Sequence, residues 1–249
     1  MSVTVIIPAY NQAEFLTESV ESVLAQTVKP LEIIVVNDGS TDNTWKVALN
    51  LPVDYFWQKH IGNHTPARAM NRGIQLSQGD FVVCLAADDK LSPDYFEQCL
   101  TVFSKKQTGI VYTGCQEFCT STKLRVPRTP HHRFSVFREP HGQIGAMMVK
   151  REVYCAVGKY DESLHSLEDW DFFIRAGLAG WKIRSIKEPL HYARVHNGRV
   201  TGHVDISELH RKYRFMKTYA SLSRVFDAVC LCLIHPYTAL RRFRGKAKI

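Results

Sequence analysis

Apolar runs of strand length alternate with segments of helical spacing through residue 103. Val3-Thr4-Val5-Ile6-Ile7 is a buried strand stopped by Pro8, and Ala9-Tyr10-Asn11-Gln12 forms a loop at its carboxyl end. Phe15, Leu16, Ser19, Val20, Val23 and Leu24 fall on one face of a helix over residues 14–26. Leu31 to Val36 is a second apolar strand. Asn37-Asp38-Gly39-Ser40-Thr41-Asp42 follows it, dense in turn and N-cap residues, before a helix through Trp45, Val47 and Leu49. Val53 to Trp57 is a third strand. Thr65 to Leu76 is a helix carrying Arg68, Asn71 and Arg72, and Phe81 to Leu85 is a fourth strand. Strands apolar throughout, alternating with helices, predict a mainly parallel sheet covered on both faces.

The second half has a different rhythm. Ile110 to Thr113 and Met147 to Val149 read as short strands, and residues 119–143 show little periodicity. Arg151 to Val157 is a helix closed by Gly158. Leu167-Glu168-Asp169-Trp170-Asp171 opens another, ended by Gly180. Lys182 to Ile186 and Leu190 to Val195 read as two strands. A polar helix over about 205–222, an apolar stretch Val225 to Ile234 and a basic tail follow. The expected organisation is one domain over 1–204 and a helical, basic extension over 205–249.

The fourth strand ends in Ala86-Ala87-Asp88-Asp89, then Ser92-Pro93-Asp94 at the start of a helix. Ala86 and Ala87 leave room for close approach. In open α/β sheets, ligands bind at the carboxyl ends of strands. Two adjacent carboxylates there suit a hard divalent cation bridging to phosphate, and equally suit a solvated turn.

Composition adds limits. With 249 residues, 45% of them hydrophobic and 22% charged, the chain can bury a full core. Its net charge of +8 is compatible with nucleic acid, an anionic membrane surface or a phosphorylated substrate. The basic residues gather late rather than interleaving with aromatics, which argues against nucleic acid. Seven scattered cysteines without a CxxC argue against zinc or a disulfide framework, and predict reduced thiols in a cytosolic setting. Met1-Ser2 leads straight into a strand, so no signal peptide is expected. No stretch approaches the length of a membrane span.

Six pieces then carry a resemblance. VTVIIPAYN at Val3, IIVVNDGSTDNT at Ile33 to Thr44, ARAMNRG at Ala67 to Gly73, LAADD at Leu85 to Asp89, VGKYDESL at Val157 to Leu164 and EDWDF at Glu168 to Phe172 stand in the order seen in family 2 glycosyltransferases. The chain resembles that family from residue 3 to about 202. The resemblance implies the GT-A fold, a Rossmann-like sheet flanked by helices, and inverting transfer from a nucleotide sugar. It places Pro8, Ala9, Tyr10 and Glu14 at the nucleotide end, with Ala87. It gives Asp38 the base, usually uracil. It sets Arg68 and Arg72 near the sugar or diphosphate. Asp88, Asp89 and His196 would hold Mg²⁺ or Mn²⁺, with Asp88 also touching the donor. Asp169 would be the catalytic base, flanked by Glu168 and Trp170 toward the acceptor. At a helix start, the dipole is expected to hold the Asp169 pKa low.

The sequence departs from the family at Ala86, where the metal motif commonly has its first acid. The Gln-X-X-Arg-Trp motif of processive synthases is absent. The expectation is therefore an enzyme adding one sugar at a time to a glycan or lipid-linked acceptor in cell-surface polysaccharide synthesis. Two other classes compete. Ala86 suits a catalytically weak nucleotide-sugar-binding protein. A nucleotidyltransferase would share the sheet but wants a glycine- and lysine-rich first loop, which Ala9 to Gln12 is not. The apolar stretch and late cations also suit docking on an anionic membrane surface, peripherally at the cytoplasmic face.

Overall fold

Strands that are apolar almost throughout need cover on both sides, and the fold supplies it. A computed structural model of the protein describes residues 1–62, 66–127, 146–164 and 167–196. The elements are β1 (Val3–Ala9), α1 (Leu16–Leu24), β2 (Glu32–Asn37), α2 (Thr44–Ala48), β3 (Asp54–Trp57), α3 (Ala67–Leu76) and β4 (Phe81–Cys84). Then come β5 (Lys90–Leu91), α4 (Tyr95–Phe103), β6 (Thr108–Cys119), β7 (Leu124–Arg125), β8 (Met147–Lys150), α5 (Arg151–Val157), α6 (Glu168–Leu178) and β9 (Lys182–Val195).

The strand order is β3-β2-β1-β4-β8-β6-β9-β5, with β7 beside β6. Strands β1 to β4 pair in parallel. β8 runs antiparallel between β4 and β6, and β6 pairs in parallel with β9. The sheet is thus mixed but mainly parallel. Alternate residues feed opposite faces. Ile6, Ile34, Val82 and Cys84 pack with α3, α5 and α6, while Val5, Ile7, Val35 and Val83 pack with α1 and α4. Each fully buried aliphatic side chain contributes about 1.5–3 kcal/mol, so both faces are strongly specified.

Three boundaries differ from the sequence expectation. β6 runs on to Cys119, well past Thr113. β9 is one strand, because the chain bulges at Lys187 and Glu188 opposite Gly114 and then resumes pairing at Pro189. A Cβ on Gly114 would lie 2.6 Å from the Lys187 carbonyl oxygen, so the bulge requires glycine there. Helix α4 starts after Asp94, not Ser92. The Ser92 N–H donates to the Leu190 carbonyl at 2.8 Å, which ties Ser92 to β9 ahead of the helix. The proposed helix over 205–222, the stretch 225–234, the basic tail, the 204/205 boundary and most of the 119–143 region lie outside the described residues.

Candidate active site

The loops after β1 and β2 are stitched to each other. The Asn11 Oδ1 accepts the N–H groups of Thr41 (2.8 Å) and Asp42 (3.4 Å), and the Ser40 hydroxyl oxygen accepts the Asn11 N–H at 2.9 Å. Asp42 accepts the Ala13 N–H at 3.1 Å and the Thr44 hydroxyl at 2.5 Å. Burial works to raise the Asp42 pKa, but the bonds from Thr44 and Ala13 outweigh it and leave it lowered. Pro8 is half-buried at the end of β1, and Glu14 is exposed beyond this seam.

Asp38 follows β2 at the same sheet edge. Its carboxylate accepts the Gln58 amide at 2.5 Å and the His60 Nδ1–H at 2.8 Å, with the Arg68 guanidinium 3.7 Å away. Tyr10 stacks on the His60 ring, centroids 4.5 Å apart. Gly39 adopts φ +72°, and a Cβ there would lie 2.6 Å from the His60 backbone nitrogen. The segment after β3 is therefore pressed against this turn, which brings Gln58 and His60 to Asp38. Arg72 lies exposed on the same helix as Arg68.

The loop after β4 splits its two carboxylates. Asp88 faces His196, whose Nε2 is 3.0 Å from Oδ2. Asp89 turns inward: its Oδ2 meets the His191 Nε2 at 2.8 Å and its Oδ1 accepts the Arg194 N–H at 2.9 Å. Both residues of the Asp89–His191 pair are buried. Burial alone would lower the His191 pKa; the Asp89 charge and hydrogen bond override it and raise it to about 10. Asp89 thus ties the loop to β9 through one bond on each oxygen, and Asp88 is the carboxylate that faces His196. Ala87 is buried beside them. The Asp88–His196 set, one carboxylate and one imidazole, fits a divalent ion that takes its remaining ligands from phosphate oxygens and water. Among the described residues no larger cluster of His, Cys, Asp or Glu suited to a metal occurs.

Glu168 and Asp169 begin α6, after Leu167 in a left-handed conformation (φ 62°). The Asp169 Oδ1 accepts the Trp170 N–H at 2.7 Å. Burial pushes the Asp169 carboxyl up to about 6, and burial together with the Asp169 charge pushes Glu168 up to about 7. The expectation of a low pKa from the helix dipole is corrected: desolvation exceeds what the helix start returns. Trp170 is 1% exposed and packs in the core with Phe172 and Phe173, so it braces the helix from beneath instead of meeting an acceptor. Asp171 is also buried. It accepts the Arg175 Nε–H at 2.8 Å, and Arg175 donates on to the Val157 and Lys159 carbonyls, locking α6 to the turn after α5.

Residues 4–158 match the family model for glycosyl transferase family 2. The chain belongs to glycosyltransferase family 2. An uncharacterised glycosyltransferase of Rickettsia typhi is 31% identical over 212 residues, 80% of this chain and 65% of that one. The chondroitin synthase of Pasteurella multocida is 30% identical over 230 residues, 89% of this chain and 23% of that one. The chain thus spans 65% or less of the length of these relatives. The crystal structure of Staphylococcus aureus TarS 1–349 in complex with UDP-GlcNAc aligns with a TM-score of 0.69 at 17% identity, over 100% of this chain and 77% of that one. That likeness gives the glycosyltransferase its GT-A fold.

Four residues of the candidate site escaped the sequence reading: Gln58, His60, His191 and Arg194. The first two had a signal. A polar Gln58-Lys59-His60 follows β3, and β3 lies parallel beside β2, so the two loops must share an edge. His191 stands out as a titratable residue inside the apolar run after Leu190. Among the described residues no helix is long and apolar enough to cross a membrane.

Proposed function

We propose that the protein transfers a single sugar, with inversion, from a nucleoside-diphosphate sugar to a hydroxyl of a glycan or lipid-linked acceptor in cell-surface polysaccharide synthesis. The observation that carries this reading is the shared sheet edge: the Asp38 cluster and the Asp88–His196 pair both stand at the carboxyl ends of parallel strands. The Asp38 carboxylate accepts hydrogen bonds from its neighbours and suits the imide N–H of uracil, with Tyr10 offering a ring face. Arg68 and Arg72 supply charge toward the diphosphate or sugar. Asp88 and His196 are the residues that would hold Mg²⁺ or Mn²⁺. Such an ion supplies charge neutralisation on the leaving diphosphate.

In this mechanism Asp169 accepts the proton of the acceptor hydroxyl. The hydroxyl oxygen bonds to the anomeric carbon from one face as the bond to the diphosphate oxygen breaks on the other, and the electron pair leaves with the diphosphate. A pKa of about 6 makes Asp169 a stronger base than an ordinary aspartate while leaving it mostly ionised at neutral pH. Glu168 lies beside it on the acceptor side. The apolar stretch and cations over 225–249 are proposed to dock on anionic lipid, near lipid-linked acceptors.

Thermal stabilisation by a panel of nucleotide sugars, each with Mn²⁺, tests the reading. One uridine-based donor should raise the melting point in wild type. In Asp88→Asn the metal-dependent part of the rise should vanish, and transfer with it. Stabilisation without any turnover under saturating metal and a broad acceptor set would favour a nucleotide-sugar-binding protein, the reading Ala86 suits. Retained anomeric configuration in the product would remove the single-displacement mechanism.

A further inference from the structure

The last turn of β9 carries a cation with almost no freedom. The Arg194 side chain is 11% exposed. Its guanidinium lies against two rings, 4.7 Å from the Phe15 centroid and 4.5 Å from the Phe118 centroid. Nε donates to the Asp88 carbonyl at 3.0 Å, Nη1 to the Cys119 Sγ at 3.2 Å, and Nη2 to the Glu18 carboxylate. Glu18 also accepts the Lys90 ammonium at 2.6 Å. The Lys90 hydrogen bond is the largest of several influences that hold the Glu18 pKa low, so Glu18 stays an ionised counter-charge. A guanidinium in contact with two rings and hydrogen-bonded at all three nitrogens is poorly placed to reach a diphosphate itself.

What it does hold is the loop that presents Asp88. The side chain grips the Asp88 carbonyl while the backbone N–H of the same residue grips the Asp89 carboxylate. Phe15 extends the grip: its ring also packs on His196, centroids 5.1 Å apart. One bolt therefore fixes Asp88 through its carbonyl and His196 through its ring. Its anchor is spread over α1, β6 and the loop before β5.

We propose that Arg194, clamped by Phe15 and Phe118, is a positioning residue that sets the Asp88–His196 pair at the spacing a divalent ion on a nucleoside diphosphate needs. The proposal rests on the metal reading of that pair. Partners behind metal ligands typically change metal affinity 10–100-fold.

The test titrates Mn²⁺ by electron paramagnetic resonance in the presence of UDP, on the full chain. Arg194→Met keeps the stem against the rings and loses the donors. It should bind Mn²⁺ about tenfold more weakly, while UDP affinity in excess chelator stays at the wild-type level. Adding Arg194→Met to Asp88→Asn should cost nothing further, because a residue acting through Asp88 has nothing left to place. Phe15→Leu, which leaves every hydrogen bond of Arg194 in place, should weaken Mn²⁺ binding in the same direction and covers the case of a poorly folded Arg194→Met. Wild-type Mn²⁺ affinity in both variants would overturn the proposal and leave a structural brace. Loss of UDP binding in chelator would overturn it in favour of a direct diphosphate contact. Unchanged Mn²⁺ binding in Asp88→Asn alone would instead sink the metal reading.

Discussion

The acidic residues at two of the helix starts, those of α2 and α6, behave in opposite ways. Asp42, before α2, is held below the ordinary carboxylate range. Glu168 and Asp169, at the start of α6, are pushed above it. In each case burial is the largest single influence and acts upward. The difference is the supply of hydrogen bonds: Thr44 gives Asp42 both its N–H and its hydroxyl, and Ala13 adds another N–H, whereas Asp169 has a bond from Trp170 and an acidic neighbour. A helix terminus is worth roughly 0.3–1 kcal/mol to an adjacent charge, less than desolvation takes. So position at a helix start does not decide the pKa; the donors within reach do. The proposed nucleotide end is built to stay ionised, and the proposed base end is built to exchange a proton.

The largest effect is expected at the base end. Asp169→Asn should lower kcat by about 10²–10⁴-fold, with donor affinity near wild type. In wild type the single-turnover rate should rise with pH through an apparent value of about 6 to 7, set jointly by Glu168 and Asp169, because the proton must be off before Asp169 can accept one. A flat profile over that range with a fast Asp169→Asn enzyme would show both acids to be structural.

The nucleotide end should instead break through its backbone. Gly39→Ala adds a Cβ 2.6 Å from the His60 nitrogen at φ +72°, while Gly62→Ala adds one at φ +75° with no atom of the described residues within 4 Å. Both pay the left-handed penalty of about 1–2 kcal/mol. Only Gly39→Ala also displaces the His60 segment from Asp38. It should therefore lower the melting point more than Gly62→Ala and weaken donor binding as well, read by calorimetry. Equal effects from the two would mean that the segment after β3 yields freely.

The same contrast marks what the sequence discloses. Strands β1, β2 and β4 were legible as unbroken apolar runs, and parallel pairing then forced Asp38 and Asp88 to one edge. What stayed hidden depends on contacts between distant segments. Nothing local says that Asp89 turns in while Asp88 turns out, since His191 and Arg194, which take up Asp89, lie a whole crossover away. Trp170 stands between two aspartates and is placed toward the acceptor by the resemblance, yet the helix phase sends its ring into the core with Phe173. The full length of β6 was masked by Gly114, whose role appears only opposite the β9 bulge. The dipole argument for Asp169 was sound in sign and lost in size.

The smallest effect is a stability difference, and it has opposite signs at the two ends. Glu168 and Asp169 have folded pKa values raised above their ordinary 4.5 and 3.8. Protons bound in the folded state favour it, so their contribution is fully present below about pH 4 and is lost as pH rises through 6 to 7. Asp42 is lowered, so its contribution is present above its ordinary 3.8 and is lost as pH falls through the folded value. Asp169→Asn removes a charge that the folded state disfavours. It should be more stable than wild type at pH 8 by on the order of 1 kcal/mol, less than the full shift implies because the pair shares the penalty. The gain should fade to nothing near pH 4. Thr44→Val should be less stable than wild type at pH 8, with the gap narrowing in acid as Asp42 protonates. Urea unfolding of the three proteins across pH 3–9 reads both differences against one baseline. If Asp169→Asn is the less stable protein at pH 8, then its carboxylate is held by bonds as Asp42 is, and the division between an ionised end and a proton-exchanging end fails.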